Sequence, residues 1–506
     1  MGALRRRRDG RTPLLSLHLD SAAAMPLHRQ LYAEIRDMIL QGRLAPGLRL
    51  PSSRTLSQDL RISRNTVLLG LEQLWSEGYV EGRTGAGTFV SQTLPDGLLA
   101  ARTTMRPVGD PLGGRGDGKR QGPGPSERGL RLAAGPARRL RPAPAFAPGL
   151  PDCSDFPFDL WARLLAKAWR RPPPHLFAAA DSAGYRPLRA AIADYLRVVR
   201  AVRCEAEQVI VLSGIRQAVD LVARVLLDPD DIAWMEEPGY PGIRAALSAA
   251  GARIRAMPVD AEGLCLDDGG TESAARLVCV APSHQYPLGV TMSLPRRLDL
   301  LDWARRADAW ILEDDYDSEF RYAGRPLSAL QGLDADGRVL YAGSFSKVLF
   351  PSLRIGYLIV PPPLVETFRR ARAALDDHAS TTAQPALAEF MAAGHFAAHV
   401  RRMRKRYETR QQALLAAARH LRGLLTLAPD PAGMHLVADL GPDLAGRVTD
   451  RAASAAAGAA GLVAPPLSDY FAGPPMRQGL LLGYAAVPET EMEPAVRRLA
   501  AALGAL

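Results

Sequence analysis

Residues Ser344–Tyr357 read SFSKVLFPSLRIGY. The β-like run VLYAG at 339–343 leads into them, so the segment begins where a strand ends. Lys347 within it is the only lysine between Lys167 and Lys405. A lysine at a strand end, in a turn of small hydroxyl residues, suits a Schiff base with an aldehyde. Ser344, Ser346 and Arg354 on the same segment supply hydroxyl donors and a positive fork for a phosphate. An ordinary surface lysine is the competing reading, and this segment alone does not separate the two.

On either side of this segment, strands alternate with helices. VIVLSG (209–214) is a strand entering the helix IRQAVDLVARVLL (215–227). DIAWMEEPGYPG (231–242), ARLVCVAPSHQYPLG (275–289) and WILEDDYDSEF (310–320) each end a further strand. This order predicts an α/β protein with a largely parallel sheet covered by helices. Ligands of such folds bind at the loops after the strand C-termini, and the unusual residue clusters fall there. Free backbone N–H groups at Gly214 and Ile215 can cradle an anion, although no GxxxxGK pattern occurs there. Asp314 can face a pyridine nitrogen and keep it protonated, and Tyr316 can bond a ring hydroxyl. Helix capping and a metal site compete for that acidic cluster; metal is disfavoured because no histidine accompanies it at ligand spacing. Tyr240 on a Gly/Pro loop can stack on a flat ring or simply pack. Gln285 and Tyr286 on a third loop could reach the ring hydroxyl.

The chain has 506 residues, enough for two or more domains, with 63 Lys and Arg against 53 Asp and Glu, net +10. Residues 1–150 hold 23 basic and 12 acidic residues, net +11, and the rest is nearly neutral. All the excess charge sits in the first third, which points to a nucleic-acid-facing front end. Four dispersed cysteines, Cys153, Cys204, Cys265 and Cys279, form no CxxC pair, so a disulfide scaffold is not expected and a reducing cytoplasm fits. No apolar run is long enough to span a membrane. Arg5–Arg8 are followed by charged residues rather than an apolar signal core. The expected organisation is a basic disordered tail (1–24), a compact unit (25–91), a flexible Gly/Pro/Arg-rich linker (92–143) and a large globular body (144–506).

In the compact unit, PLHRQLYAEIRDMILQG (26–42) carries Leu27, Leu31, Ile35, Met38 and Ile39 at helical spacing and ends at Gly42. Ser52 or Ser53 can cap a second helix with Leu56 and Leu60. Ser63 can cap a third, RNTVLLGLEQLWSEG (64–78). Tyr79-Val80 and Thr88–Val90 then flank a Gly-rich turn. Three helices and a hairpin make a winged helix-turn-helix. Arg64, Asn65 and Thr66 at the start of the third helix are suited to base edges and phosphates. Arg54 suits backbone or a base edge, and Arg49 and Arg83 suit phosphates of double-stranded DNA. A protein-docking winged helix is the alternative, against which the positive front end weighs.

With LPSSRTL, SRNTV, LWSEGY and GAGTFV in order, residues 26–90 resemble a GntR-type DNA-binding domain. AGYRPLRAAIADYL, VLSGIRQAVDLVARVL, EEPGYPG, APSHQYPLGVTMS, EDDYDSEFRY and SFSKVLFPSLRIGY, from about Phe146 onward, resemble a fold-type I aminotransferase domain. The combination resembles the MocR subfamily of transcription regulators. The resemblance implies pyridoxal 5′-phosphate, with Lys347 as its internal aldimine, Asp314 on the pyridine nitrogen, Tyr316 on the ring hydroxyl and Tyr240 stacking. Gly214, Ile215, Ser344, Ser346 and Arg354 would hold the phosphate. It also implies a cytoplasmic homodimer that binds promoter DNA and senses the vitamer or an amine or amino-acid effector. Two departures stand out: QYPLG replaces the usual NPTG, and Leu481 occupies the position of the arginine that clamps a substrate carboxylate, with Arg477 nearby as a substitute. The other reading is an active aminotransferase with an accessory DNA-binding module, distinguishable by turnover of an amino donor and a keto acid.

Overall fold

The computed structural model describes residues 17, 19–21, 23–83, 86–92, 124–126, 129–130, 133, 145–170, 172, 176, 181–266, 275–324 and 327–506. Most of the expected tail and linker lies outside these residues. The chain divides into two compact units, within Met1–Gln121 and Gly122–Leu506.

The first unit contains α1 (Leu27–Leu40), α2 (Ser53–Leu60), α3 (Arg64–Ser76), β1 (Val80–Arg83) and β2 (Gly87–Val90). Leu31, Ile35, Met38 and Ile39 form one buried stripe of α1. They pack with Leu56, Val67, Leu71, Leu74 and the hairpin residues Val80 and Val90. Gly42, with φ 72°, follows the end of α1 in the left-handed conformation that glycine adopts without a Cβ penalty. Ser52 Oγ accepts from Thr55 N–H at 3.2 Å, and Ser63 Oγ accepts from Thr66 N–H at 3.0 Å. Ser52 rather than Ser53 therefore caps α2. The two strands pair antiparallel, Val80 opposite Val90.

The second unit is built on an eight-stranded sheet. Its strands are β3 (Val209–Leu212), β4 (Ile232–Glu237), β5 (Arg253–Asp260), β6 (Gly263–Leu264), β7 (Leu277–Val280), β8 (Trp310–Asp315), β9 (Val339–Ser344) and β10 (Gly356–Ile359). They lie in the order β3-β10-β9-β8-β7-β4-β5-β6. Every residue of β3, β7 and β10 is buried. Successive side chains point to opposite faces, so both faces of the sheet are covered. Helices α4 (Phe158–Arg170), α5 (Arg186–Arg200), α6 (Ile215–Leu226), α7 (Pro241–Ala250) and α8 (Leu294–Arg306) accompany it. A second, antiparallel sheet of β11 (Leu425–Leu427), β12 (His435–Leu440) and β13 (Gly479–Gly483) follows.

Strands β4, β5, β7, β8 and β9 are parallel neighbours, and β3 points the same way across the reversed β10. Their C-termini therefore share one edge of the sheet. The reversal of β10 matters as much. Its first residue, Gly356, pairs with Leu212 and with Ser344, the last residues of β3 and β9. Arg354, just before β10, is thereby delivered to the same edge.

Candidate functional site

In the first unit, Arg54, Arg64 and Asn65 are exposed at the N-terminal turns of α2 and α3. Arg64 Nε donates to Ser53 Oγ at 3.4 Å, linking the two turns. Arg49 is exposed, and its backbone pairs antiparallel with Phe89 of the hairpin. Two of the other candidates already have local partners. The Thr66 hydroxyl lies 2.8 Å from Ser63 Oγ, beside the cap of α3. Arg83 is already paired: its guanidinium donates to Glu81 at 2.7 Å and lies 4.7 Å over the Phe89 ring. Residues two apart on a strand share a face, which is why Glu81 intercepts it.

In the second unit, five loops after strand ends meet around one cavity. Lys347, Asp314, Tyr316, Tyr240 and Ile215 line it, and Gly149, Tyr286, Met434 and His435 complete it. Lys347 Nζ donates to the Gly149 carbonyl at 2.7 Å. Gly149 has φ 67°, which favours glycine, and a Cβ there would stand 2.6 Å from that amine and displace it. Tyr240 precedes α7, and its hydroxyl accepts from Arg216 Nε at 3.2 Å. Its ring meets Tyr286 edge-on, centroids 5.8 Å apart.

At one end of the cavity, Gly214 (φ 135°) precedes the first turn of α6. A Cβ at Gly214 would stand 3.9 Å from Arg354 Nη1 and 4.0 Å from Ser344 Oγ, so these groups converge on the helix N-terminus. Ser344 Oγ accepts from Ser346 N–H at 3.2 Å. Ser346 Oγ is buried without a hydrogen-bond partner.

The acidic cluster divides its labour by strand alternation. Glu313 accepts from Leu330 and Gln331 N–H, both at 2.9 Å, and caps the short helix Leu330–Leu333. Asp315 pairs with buried Arg200 at 2.9 Å and accepts from Tyr341 Oη. The capping reading of the sequence therefore holds for Glu313 alone. Asp314, on the opposite face, is buried and its Oδ1 has no partner. Burial first, then the charges of Asp315 and Asp317, push its carboxyl up to about 8, while Lys347 pulls the other way. A buried carboxyl oxygen without a partner calls for a polar group on a ligand, and a cationic or N–H group there would draw the proton off Asp314.

Two expectations need correction. Gln285 is fully buried, and its amide is consumed by the loops: Nε2 donates to the Pro238 and Tyr286 carbonyls at 2.7 and 2.8 Å, and Oε1 accepts from Leu288 N–H at 3.1 Å. The side chain next to it, Tyr286, lines the cavity instead. Arg477 does not stand in for a carboxylate clamp, because Asp439 holds its guanidinium in a bidentate pair at 2.6 and 2.7 Å. Leu481 is completely buried against Leu467 and Tyr470.

His284 was not singled out from the sequence. It lies behind Tyr316, 2.9 Å from the phenol and from Asp317, and 3.3 Å from Asp430. Its loop was legible, but a partner 146 residues away leaves no sequence signal. The assembled set fits the expected pyridoxal phosphate: an amine, an unpartnered buried carboxylate oxygen, an aromatic wall and a cradle of backbone, hydroxyl and guanidinium.

Residues 27–90 match the family model of bacterial regulatory proteins, gntR family, and residues 167–499 match that of aminotransferase class I and II. Over 492 residues the chain is 44% identical to the "Probable rhizopine catabolism regulatory protein MocR" of Rhizobium meliloti, covering 97% of this chain and 96% of the relative. The chain belongs to the MocR-type regulators of the gntR family. Another relative, the HTH-type pyridoxine biosynthesis transcriptional regulator PdxR of Corynebacterium glutamicum, is 32% identical over 460 residues, 90% of this chain and 91% of the relative. Among solved structures, the α-aminoadipate aminotransferase LysN of Thermus thermophilus, complexed with N-(5′-phosphopyridoxyl)-L-leucine, is 28% identical. It aligns with a TM-score of 0.65 over 72% of this chain and 92% of that one. The body of this MocR-type regulator thus has the fold-type I aminotransferase architecture, and no described helix is long and apolar enough to cross a membrane.

Proposed function

We propose that this MocR-type regulator binds promoter DNA through its first unit and uses pyridoxal 5′-phosphate in its second as the sensing group. The observation that carries the reading is the meeting of Lys347 and Asp314, whose Oδ1 is buried without a partner, in one cavity lined by Tyr240 and Tyr316. When bound, the cofactor supplies an aldehyde that condenses with amines and a pyridine ring that accepts electron density. Lys347 would hold it, Asp314 would pair with its ring nitrogen, and Gly214, Ile215, Ser344, Ser346 and Arg354 would cradle its phosphate. Tyr240 and Tyr286 wall off water. An effector, whether an amine, an amino acid or a B6 vitamer, would act at Lys347 or by loading the site. The Gly149 carbonyl is placed to receive the Lys347 ammonium once it is displaced.

The difference in affinity between the loaded and exchanged forms is what shifts the DNA-binding equilibrium. The working unit is a cytoplasmic homodimer that presents two winged helices to two half-sites. The loss of the clamp at Leu481, together with the Arg477–Asp439 pair, supports sensing over amino-acid turnover. Replacing Lys347 with Ala is expected to abolish the visible absorbance of the bound cofactor. A variant that keeps its colour through dialysis would refute Lys347 as the anchoring amine.

A further inference from the structure

The Tyr316 hydroxyl lies 2.9 Å from His284 Nδ1, its only hydrogen-bond partner among the described residues. With a neutral imidazole the direction of that bond would be open, because either ring nitrogen can carry the proton. The surroundings decide it. Nδ1 also faces Asp317 Oδ1 and Oδ2 at 3.2 and 2.9 Å, and Nε2 faces Asp430 Oδ2 at 3.3 Å. With a carboxyl group within hydrogen-bond reach of each ring nitrogen, the geometry favours a proton on both, which makes the ring an imidazolium. His284 and Asp317 are almost completely buried, where two carboxylates with no cation between them would be costly. Burial pulls the ring's pKa down, but Asp317 and Asp430 more than reverse this and raise it to about 10. The neighbouring His435 is the counterpart. Its ring lies 5.9 Å away and donates Nε2–H to the Pro287 carbonyl at 2.9 Å, and burial and the charge of His284 both hold it neutral.

A protonated Nδ1 cannot accept from a phenol. The Tyr316 oxygen can only share the single Nδ1 proton with Asp317 as an acceptor, and its own proton is left for the cavity that it lines with Asp314 and Lys347. The ring takes the space that Gly433 leaves open, because a Cβ there would stand 2.3 Å from His284 Cε1. One imidazolium thus ties the loop after β7 to the loop after β8 and to the segment before β12. We propose that His284 is a positioning residue that fixes Tyr316 as a hydrogen-bond donor, so that the cavity selects a ligand presenting an anionic oxygen there, such as the deprotonated ring hydroxyl of a pyridoxal. This inference rests on the proposed function and assigns a polarity to one of its contacts.

The test uses the full chain freed of cofactor and titrated with pyridoxal 5′-phosphate, reading both affinity and the absorbance of the bound form. The natural chain is compared with Tyr316→Phe, His284→Gln and the double variant. Each single change is expected to weaken binding about tenfold and to move the absorbance maximum alike, with the double variant no worse than either. If His284→Gln is as damaging in the Tyr316→Phe background as in the natural chain, or changes neither readout, the proposal is overturned. Should His284→Gln fail to fold, Asp430→Asn replaces it, and it is expected to weaken binding only while Tyr316 is present. Additive losses in a chain that still takes up cofactor sink this inference alone. A natural chain that takes up none sinks the proposed function with it.

Discussion

The candidate DNA-binding surface and the candidate cofactor cavity use charge in opposite ways. Arg54, Arg64 and Asn65 stand exposed on two neighbouring helix N-termini, and all the candidate DNA contacts fall between Arg49 and Arg83. The cavity draws on residues from Gly149 to His435, and its decisive group, Asp314, is buried without a partner on one oxygen. Exposed charges are hydrated and screened, so each contributes modestly and the set works by number. Buried charges act singly, because every neighbour within a few ångströms alters their protonation. A surface of the first kind can be encoded in one short stretch of chain. A site of the second kind requires the sheet to bring distant loops to one edge.

That contrast can be broken at several points. The largest effect is expected at Asp315, which shares the acidic cluster with Asp314 but serves the fold. Asp315→Ala leaves Arg200 buried without its partner and should destabilise the second unit by about 3–5 kcal/mol, measured by denaturant unfolding. A loss of cofactor affinity with stability intact would mean that the two aspartates have been given the wrong roles. At the surface, Arg64→Ala should weaken operator binding by about 1–3 kcal/mol in a shift assay, and undiminished specific binding would remove Arg64 from the recognition surface. Arg83→Ala should weaken binding by less than about 1 kcal/mol, because Glu81 already holds its guanidinium. An effect as large as that of Arg64 would show that the Glu81 pair opens on DNA.

The pH response sharpens the buried side. His284 stays protonated in the fold up to about pH 10, whereas an unfolded histidine loses its proton near pH 6.5. Its folded pKa is raised, so its contribution to stability is full below about pH 6.5 and is lost as pH climbs toward 10. The gap in thermal midpoint between the natural chain and His284→Gln should therefore be wider at about pH 6 than at about pH 10.5. A constant gap would contradict the imidazolium.

Local patterns carried the first unit. Ser63 as a cap, Gly42 past a helix end and the α1 stripe are short-range signals, and each reappears in the structure. The strand-end loops of the body were equally legible, because a parallel sheet places them together whatever lies between. Three things were not. The reversal of β10, which brings Arg354 beside Gly214, depends on pairing between distant strands. The turning of Gln285 into the loops was hidden because its partners are backbone carbonyls, which no side-chain pattern reports. The pairing of His284 with Asp430 joins segments that sequence reading has no reason to connect. In the EDDYD run, alternation on β8 distinguishes Asp314 from Asp315 only once the covered faces are known.

The most direct test of the central claim is one titration of the cofactor-free full chain with pyridoxal 5′-phosphate, recording visible absorbance and operator affinity in the same samples. The absorbance should rise and the operator affinity should change over the same concentration range, and Lys347→Ala should remove both responses. A chain that stays colourless at saturating vitamer, or one that colours while its operator affinity does not move, would contradict the claim that this cavity is the sensor.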